Sequence, residues 1–146
     1  MDQTVAVAIS EWHYPPPYSF YDWDADHDDA ALLLDAKSRQ GRFFSARDEN
    51  GELVGYFEFQ VRDEDLTIGL GLRPDLTGLG MGADFVEAGL AFARERFRPS
   101  RFRLTVASFN ERAIKVYERA GFVTTRAFDH ETSGGVYRFL EMTRPA

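Results

Sequence analysis

Three glycines, Gly78, Gly80 and Gly82, stand where a strand pattern in the sequence gives way to a helix pattern. Apolar residues alternate with other types over residues 66–73, which is the period of a strand, and recur at helical spacing from Ala83 onward. Glycines at a helix start leave its free backbone N–H groups accessible, and the positive end of the helix dipole adds to their attraction for anions. The pattern therefore predicts a phosphate-binding turn, with a pyrophosphate as the expected ligand.

A glycine-rich turn can also belong to a dinucleotide-binding fold. Residues 78–83 match a loose G-x-G-x-x-A pattern, but Pro74 to Thr77 separate the glycines from the strand. About 20 residues further on, where a ribose-binding acid should stand, the chain reads Arg98-Pro-Ser-Arg-Phe-Arg103. No G-x-x-x-x-G-K-[ST] sequence is present either. A nucleotide-dependent oxidoreductase is therefore disfavoured.

A second group of residues with chemical potential lies in the next predicted helix. The chain carries the pattern N-x-x-A-x-x-x-Y-x-x-x-G-F, formed by Asn110, Ala113, Tyr117, Gly121 and Phe122. Taken alone, Asn110 is also explained as a helix N-cap within a capping box. Taken alone, Tyr117 is also explained as a core aromatic, because it shares a helical stripe with Ala113. The residues by themselves leave both alternatives open.

Together, the two motifs resemble those of the GNAT superfamily of N-acetyltransferases. The first is Leu72-x-Pro74-x-x-x-Gly78-x-Gly80-x-Gly82, and the second begins about 28 residues later at Asn110. The resemblance covers residues 66–122 closely and the element order of most of the chain. It implies an acetyl-CoA-dependent enzyme with a mixed α/β fold, in which a mostly antiparallel central sheet of about seven strands is flanked by helices.

The resemblance also implies roles for particular residues. The backbone around Gly71 would pair with the pantetheine arm of acetyl-CoA, and the amides of the glycine turn would bind its pyrophosphate. Asn110 would hold the cofactor and the opening between two splayed strands, and Tyr117 would protonate the departing CoA thiolate. The expected cofactor-binding residues are Leu70, Gly71, Leu72, Thr77, Gly78, Leu79, Gly80, Met81, Gly82, Ala83, Asn110, Ala113 and Tyr117.

Two positions depart from the family pattern. Thr77 stands where Arg or Gln is common, so one cation or amide contact to the cofactor is missing. Thr105 stands five residues before Asn110, where members that acetylate protein N-termini have a glutamate base. Threonine cannot act as that base, so acetylation of protein N-termini in that manner is in doubt.

Transfer to an amine needs a base, because a lysine-like amine has a pKa of roughly 10 and is mostly protonated at pH 7. The best candidate is Glu58, on a predicted strand and on the face opposite Phe57 and Phe59. The alternative is an exposed strand glutamate with no catalytic role. Direct transfer would pass through a tetrahedral intermediate whose oxyanion lies near the amide of Leu72.

The rest of the chain reads as strands and helices around these motifs. Residues 4–9 read as a first strand, and Asn50-Gly51 between two apolar runs is a strong hairpin signal. The stretch 12–21 is too rich in proline for a regular helix, and it either lines a pocket or packs on the core as a lid. The other predicted elements are helices over 29–37 and 110–120 and strands over 43–47, 53–61, 102–106, 122–128 and 136–142, the last two joined through 133–135.

Composition limits the possible functions. The net charge is −7, and residues 1–40 hold eight of the 24 acidic residues but two of the 17 basic ones. This balance disfavours nucleic acid as a partner, and the acidic arm is either a solvated face or a surface that attracts a cationic substrate. With no cysteine and three scattered histidines, no metal site is expected. No membrane span or signal peptide is visible, so we expect a cytoplasmic protein.

We expect residues 1–146 to form one domain that acetylates a primary amine. A small cationic amine or amino acid derivative is the favoured acceptor, followed by a peptide N-terminus or lysine. A catalytically silent acyl-CoA-binding or regulatory module is the alternative, because the base is uncertain, although the presence of Asn110 and Tyr117 speaks against it. Monomer and homodimer both remain open.

Overall fold

The computed structural model describes residues 1–25, 27–132 and 135–146, and this part of the chain forms a mixed sheet flanked by helices. The helices are α1 (Gln3–Ser10), α2 (His27–Leu34), α3 (Ala36–Arg39), α4 (Gly82–Phe97) and α5 (Glu111–Arg119). The strands are β1 (Phe43–Arg47), β2 (Leu53–Arg62), β3 (Asp65–Leu72), β4 (Arg101–Ala107), β5 (Val123–Thr132) and β6 (Gly135–Pro145). Short 3-10 helices occur at Tyr18–Tyr21, Trp23–Ala25 and Pro74–Leu76. The expected fold class is confirmed, with six strands in the described ranges rather than about seven.

The sheet opens at its centre. Its strand order is β1-β2-β3-β4-β6-β5, and among these six described strands β3 and β4 form the one parallel pair, while the other neighbours are antiparallel. These two strands pair only where residues 65–67 meet residues 101–103. By contrast, β2 follows β3 as far as Leu72, and β6 follows β4 as far as Ala107. Beyond Thr67, β3 and β4 therefore splay apart.

One face of the sheet is covered by α4 and α5. Phe57 of β2 stacks on Phe85 of α4 with ring centroids 4.5 Å apart. A β carbon at Gly89 would lie 2.4 Å from the Phe57 ring, so the absence of a side chain there lets α4 approach the sheet closely. The buried residues of this cluster, the main core, are Phe57, Phe59, Leu66, Ile68, Phe85, Val86, Leu90, Ala93, Phe102, Leu104, Val106, Ala120, Phe122 and Met142.

The opposite face is covered only in part, by α1 and α2. Ala6, Ile9, Leu33 and Phe43 form a small second core, against which Trp12, Trp23 and Tyr56 also pack. Further along the same face, Gln60, Thr67 and Arg103 line a separate polar depression. The face thus changes from an apolar, helix-covered end to a polar, uncovered end.

The predicted first strand over residues 4–9 is wrong, because these residues lie in helix α1. Asp2 caps this helix, its Oδ1 accepting a hydrogen bond of 2.8 Å from the N–H of Val5. Ala6 and Ile9, three positions apart, are fully buried, while Val7 is 40% exposed. The alternation of valine and alanine resembles a strand, but the cap and the helical spacing of the two core residues favour a helix.

The predicted helix over 29–37 is divided in two. Asp35 ends α2 and caps α3, accepting hydrogen bonds from the N–H and hydroxyl of Ser38 at 2.9 and 2.7 Å. The hairpin predicted at Asn50-Gly51 is confirmed, with β1 and β2 paired and Gly51 at a φ of 80°. The other predicted strands and helices are confirmed with small changes at their ends, but the turn predicted at 133–134 lies outside the described residues. No helix in the described ranges is long and apolar enough to cross a lipid bilayer.

Candidate active site

A cleft of about 1220 Å³ occupies the splay between β3 and β4. Leu70 and Val106, whose strands turn these side chains toward α4, line it together with Glu58, Gly71 and Thr105 from the opposite face. The cleft therefore reaches through the sheet from one face to the other. A long, thin ligand placed here would be accessible to a second molecule approaching from the other face.

The glycine turn stands at one end of the cleft. Gly78 and Gly80 have φ values of 74° and 80°, in the left-handed region that glycine adopts without strain. Met81, the residue that caps α4, makes no side-chain hydrogen bond to the helix. The first N–H groups of α4 are therefore free of a side-chain acceptor, and a β carbon at Gly80 would meet nothing within 4 Å. This open turn has the geometry that an anionic group such as a pyrophosphate requires.

Thr77 uses its polar groups within the turn. Its hydroxyl donates to the carbonyl of Pro74 at 2.8 Å, and its N–H donates to the same carbonyl at 3.3 Å. Thr77 still lines the cleft. Its contribution is thus to hold the turn in shape, and its expected contact with the cofactor stays a prediction.

Helix α5 adds positive charge to the cleft. Arg112, Lys115 and Arg119 all line it, at the spacing of one helix side. The Arg112 guanidinium lies 4.3 Å from the ring centroid of Tyr18, and its Nη1 is 3.2 Å from the β-carbon position of Gly78. In a chain of net charge −7, these cations give the cleft a local attraction for phosphate groups.

Tyr117 and Asn110 both line the cleft on its α5 wall. The Tyr117 ring packs edge-on against Phe122, and its hydroxyl makes no hydrogen bond to any residue that the structure describes. Burial raises the pKa of Tyr117 well above its ordinary value, so the hydroxyl keeps its proton at neutral pH. Asn110 caps α5, accepting from the N–H of Ala113 at 3.2 Å. Asn110 is therefore a helix N-cap, the alternative explanation that its position in the sequence allowed.

Glu58 reaches the cleft because the strand beside it lacks side chains. Its Oε1 would lie 3.3 Å from a β carbon at Gly69, so the carboxylate lies over the backbone of β3. The Oε2 atom accepts hydrogen bonds from Arg42 Nε at 2.5 Å and from Gln60 Nε2 at 3.3 Å. The side chain is 20% exposed, which places a held but accessible carboxylate at the opening.

Packing against Tyr56 explains why position 71 is a glycine. A β carbon at this position would lie 2.5 Å from the ring of Tyr56 on the neighbouring strand. Burial raises the pKa of Tyr56, which stays neutral. The bare stretch of β3 therefore serves the packing of the protein itself, and Leu70, Gly71 and Leu72 also line the cleft.

The N-terminal segment supplies residues that sequence reasoning did not assign. Tyr14, Tyr18, Phe20 and Tyr21 all line the cleft, so the aromatic stretch 12–21 does line a pocket. The Tyr14 hydroxyl donates to the carbonyl of Leu72 at 2.7 Å. The aromatic and proline content had marked this stretch as a possible pocket wall, but nothing in the local pattern named its partners.

One group of described residues has the donor atoms of a metal site, namely His13, Asp22 and Asp24. The His13 Nδ1 lies 3.0 Å from Asp22 Oδ2, and this hydrogen bond raises the pKa of His13 above its ordinary value. The pairing of imidazole with carboxylate accounts for the arrangement without an ion. The sequence expectation of no metal stays a prediction.

Comparison with known proteins relates this geometry to a family. The model of the acetyltransferase (GNAT) family matches residues 6–122. The chain is 35% identical over 135 residues to a mycothiol acetyltransferase of Propionibacterium freudenreichii, in a match that spans 84% of this chain and 39% of that protein. It is 36% identical over 124 residues to a mycothiol acetyltransferase of Streptomyces coelicolor, spanning 82% and 36%. The chain thus spans roughly two fifths of the length of these curated relatives.

Solved structures show the same fold at lower sequence identity. A spermidine N-acetyltransferase chimera from Vibrio cholerae and hSSAT has a TM-score of 0.82 at 17% identity, covering 99% of this chain and 92% of that one. The Vibrio cholerae spermidine N-acetyltransferase in complex with CoA and spermine has a TM-score of 0.79 at 17% identity, with the same coverage. At these identities the likeness concerns the fold alone. From the family match and the sequence identity of its relatives, the chain belongs to the acetyltransferase (GNAT) family.

Proposed function

We propose that residues 1–146 act as one domain that transfers the acetyl group of acetyl-CoA directly to a primary amine. The observation that carries this proposal is the splay of β3 and β4, which joins three features in one cleft. The open helix start at Gly80 lies at one end, the Tyr117 hydroxyl lies on one wall, and the Glu58 carboxylate faces the opening from the other side of the sheet.

Binding of acetyl-CoA in this proposal uses mainly backbone groups. The amides of Gly78 to Ala83 bind the pyrophosphate, and the backbone of Leu70 to Leu72 pairs with the pantetheine arm. The cations of α5, Arg112, Lys115 and Arg119, neutralise the remaining phosphate charge. Acetyl-CoA supplies the activated acetyl thioester, and the domain supplies its orientation.

Two side chains handle protons. Glu58, held by Arg42, accepts a proton from the incoming ammonium group, directly or through water. Tyr117 carries its proton at neutral pH because burial raises its pKa, and it donates this proton to the departing thiolate. The N–H of Leu72 is the proposed donor to the oxygen on which negative charge develops. The chain contains no cysteine, which agrees with direct transfer without a cysteinyl acyl-enzyme.

The proposed acceptor is a small amine, with a peptide amine as the second candidate. The curated relatives are named for mycothiol, and a fold neighbour was solved with spermine. The acceptor side of the cleft in this chain combines the Glu58 carboxylate with the rings of Tyr14 and Trp23. A carboxylate beside aromatic faces suits a cationic amine better than a neutral or anionic group.

The test is release of CoA from acetyl-CoA in the presence of a panel of amines, amino acids, polyamines, aminoglycosides and peptides. We expect Tyr117→Phe to lower kcat about tenfold while the KM for acetyl-CoA changes little, because the hydroxyl acts on the leaving group. Tyr137→Phe is the matched control, since its hydroxyl makes no hydrogen bond to the described residues and the residue does not line the cleft. Equal kcat values for wild type and Tyr117→Phe would remove Tyr117 from the reaction.

A binding measurement separates the enzyme from a catalytically silent acyl-CoA-binding module. Acetyl-CoA at about 100 times its Kd should stabilise the fold by about 2.7 kcal/mol. This corresponds to a rise in Tm of several degrees. A silent module would show the same rise in Tm but no CoA release with any amine. A flat melting curve with millimolar acetyl-CoA would contradict both functions.

A further inference from the structure

A single segment, residues 13–22, connects the two strands where they part. Its Tyr14 hydroxyl donates to the carbonyl of Leu72, the last residue of β3, at 2.7 Å. Its Tyr21 hydroxyl accepts from the N–H of Ala107, the last residue of β4, at 3.2 Å. The same hydroxyl accepts from Asn110 Nδ2 at 3.3 Å. The segment therefore reaches both edges of the opening and the start of α5.

The chemistry of these contacts follows from the splay itself. Where β3 and β4 separate, backbone groups that face the gap lose the ladder partners that a continuous sheet would give them. Buried backbone N–H and C=O groups require other partners, and a tyrosine hydroxyl can both donate and accept. Tyr14 supplies a donor to a carbonyl on one side, and Tyr21 supplies an acceptor to an amide on the other. Two hydroxyls thus take the place of the missing strand contacts.

The segment between the two tyrosines is braced. Asp22 Oδ1 accepts from the N–H of Tyr14 at 2.8 Å, and its Oδ2 lies 3.0 Å from His13 Nδ1, so the two ends of the segment are tied together. Phe20 packs edge-on against Tyr137 of β6, with ring centroids 4.6 Å apart. Residues 15–17 are all proline, which limits the conformations of the intervening backbone. A displacement at one tyrosine is therefore transmitted to the other.

We propose that Tyr14 and Tyr21 are positioning residues that together fix the width of the opening between β3 and β4. Tyr14 acts through Leu72, and Tyr21 acts through Ala107 and Asn110. The kinetic consequence rests on the proposed acetyl-transfer function, since the width sets how the acetyl donor and the amine meet. Burial raises the pKa of both tyrosines, so both hydroxyls stay protonated over the neutral pH range.

The first test needs no enzymatic activity. The amide hydrogen exchange rates of Ala107 and of Leu104, in the middle of the same strand, are measured in the free protein. The rate at Ala107 divided by the rate at Leu104 is the Ala107 ratio, and the division removes the effect of global stability. Tyr21→Phe removes the acceptor and should raise this ratio about tenfold. Tyr14→Phe, whose hydroxyl bonds to β3, should raise the Ala107 ratio at least about threefold. Tyr137→Phe should leave it unchanged.

The second test is a double-mutant cycle on acetyl transfer. Tyr14→Phe and Tyr21→Phe should each lower kcat by about three- to tenfold, the effect of one lost hydrogen bond on the reacting geometry. The double variant should lose about as much as the worse single variant, because either substitution releases the segment. If the two hydroxyls contributed only local stability, the decreases in Tm of the two single variants would add in the double variant, and kcat would change little.

The outcomes separate this inference from the proposed function. An unchanged Ala107 ratio in Tyr14→Phe overturns the inference, whether or not the protein is an enzyme. The inference is also overturned if the decrease in kcat of the double variant equals the product of the decreases of the two single variants. If the wild type fails to transfer acetyl groups, the proposed function is lost, and the exchange ratio alone then decides whether the two tyrosines act together on the opening.

Discussion

The two faces of the sheet are built in different ways. The α4 and α5 face carries a large continuous core, and the wall of the cleft at its edge combines the backbone of the glycine turn and of the end of β3 with side chains of α5. The opposite face has a small core under α1 and α2, with four buried residues in the described part of the chain, and its wall of the cleft consists of side chains such as Glu58 and Tyr14. The proposed cofactor side is therefore expected to tolerate side-chain changes in its turn, and the proposed acceptor side is expected to respond to single substitutions.

The largest expected effect contrasts two leucines that are both 0% exposed, Leu90 in the main core and Leu33 in the small one. Leu90→Ala should destabilise the protein by about 4 kcal/mol, since the closely packed helix and sheet cannot collapse into the cavity. Leu33→Ala should cost about 2 kcal/mol, because the smaller core at the surface can relax. Thermal or urea unfolding measures both, with Leu34→Ala, at a 36% exposed neighbour, as the control.

Equal losses at the two leucines would show that the two cores are alike in rigidity and would remove the contrast. Acetyl-CoA binding by the same variants tests the contrast between the two faces a second time. Leu33→Ala should still bind acetyl-CoA with near wild-type affinity, since its core supports the acceptor side. Loss of acetyl-CoA binding in folded Leu33→Ala would contradict the division of the two faces.

The next effect tests a side chain of the acceptor wall. Glu58→Gln should lower kcat/KM for the amine by about 10 to 100 times and leave the KM for acetyl-CoA within about twofold. The amide keeps the size of the side chain and an acceptor for Arg42, but it cannot take a proton. Steady-state kinetics across pH measures the change, with Glu64→Gln, in the exposed β2–β3 turn, as the control. A pH–rate profile that keeps its shape in Glu58→Gln would discard Glu58 as the base.

A smaller effect concerns the cations beside the cofactor turn. Lys115→Ala and Arg119→Ala should each raise the KM for acetyl-CoA by about three- to fivefold at low ionic strength. The difference should shrink in 0.5 M salt, because the Debye length falls to a few ångströms. Lys37→Ala makes the same charge change away from the cleft and should have no effect. If all three substitutions raised the KM for acetyl-CoA equally, the effect would come from the net charge of the protein and not from the position of the cations on α5.

The last prediction is that a side-chain substitution in the glycine turn leaves the KM for acetyl-CoA nearly unchanged. Leu79 is 65% exposed between Gly78 and Gly80. Leu79→Ala should leave the KM for acetyl-CoA within about twofold, because the proposed contacts are made by backbone N–H groups. Isothermal titration or steady-state kinetics measures this value. A tenfold rise in KM would show that side chains of the turn bind the cofactor and would weaken the contrast between the two walls.

The sequence predicted the elements around the glycine turn well because their signals are local. The glycines, the helix start at Gly82 and the stripe of α5 all lie within short windows, and the strand pattern of β3 leads directly into them. The N-terminal region was harder to predict, since alternating valine and alanine fit both a strand and a helix, and the Asp2 cap decided the outcome.

Long-range contacts were beyond sequence reasoning for a physical reason. Tyr14 meets Leu72 at a separation of 58 residues, and Tyr21 meets Ala107 at a separation of 86. No periodicity encodes such pairs, because they depend on how the strands splay after the sheet has formed. Glu58 was placed on the correct face from alternation alone, but its position over Gly69 required the pairing register of β2 with β3.

Acetyl-CoA is proposed to bind in the splay through backbone groups of β3 and the start of α4. Amide hydrogen exchange with and without acetyl-CoA tests this proposal most directly. We expect slower exchange at residues 70–72 and 78–84, and unchanged exchange in the β2–β3 turn at Asp63 and Glu64. Unchanged exchange over 70–72 and 78–84 at a saturating concentration of acetyl-CoA would contradict it.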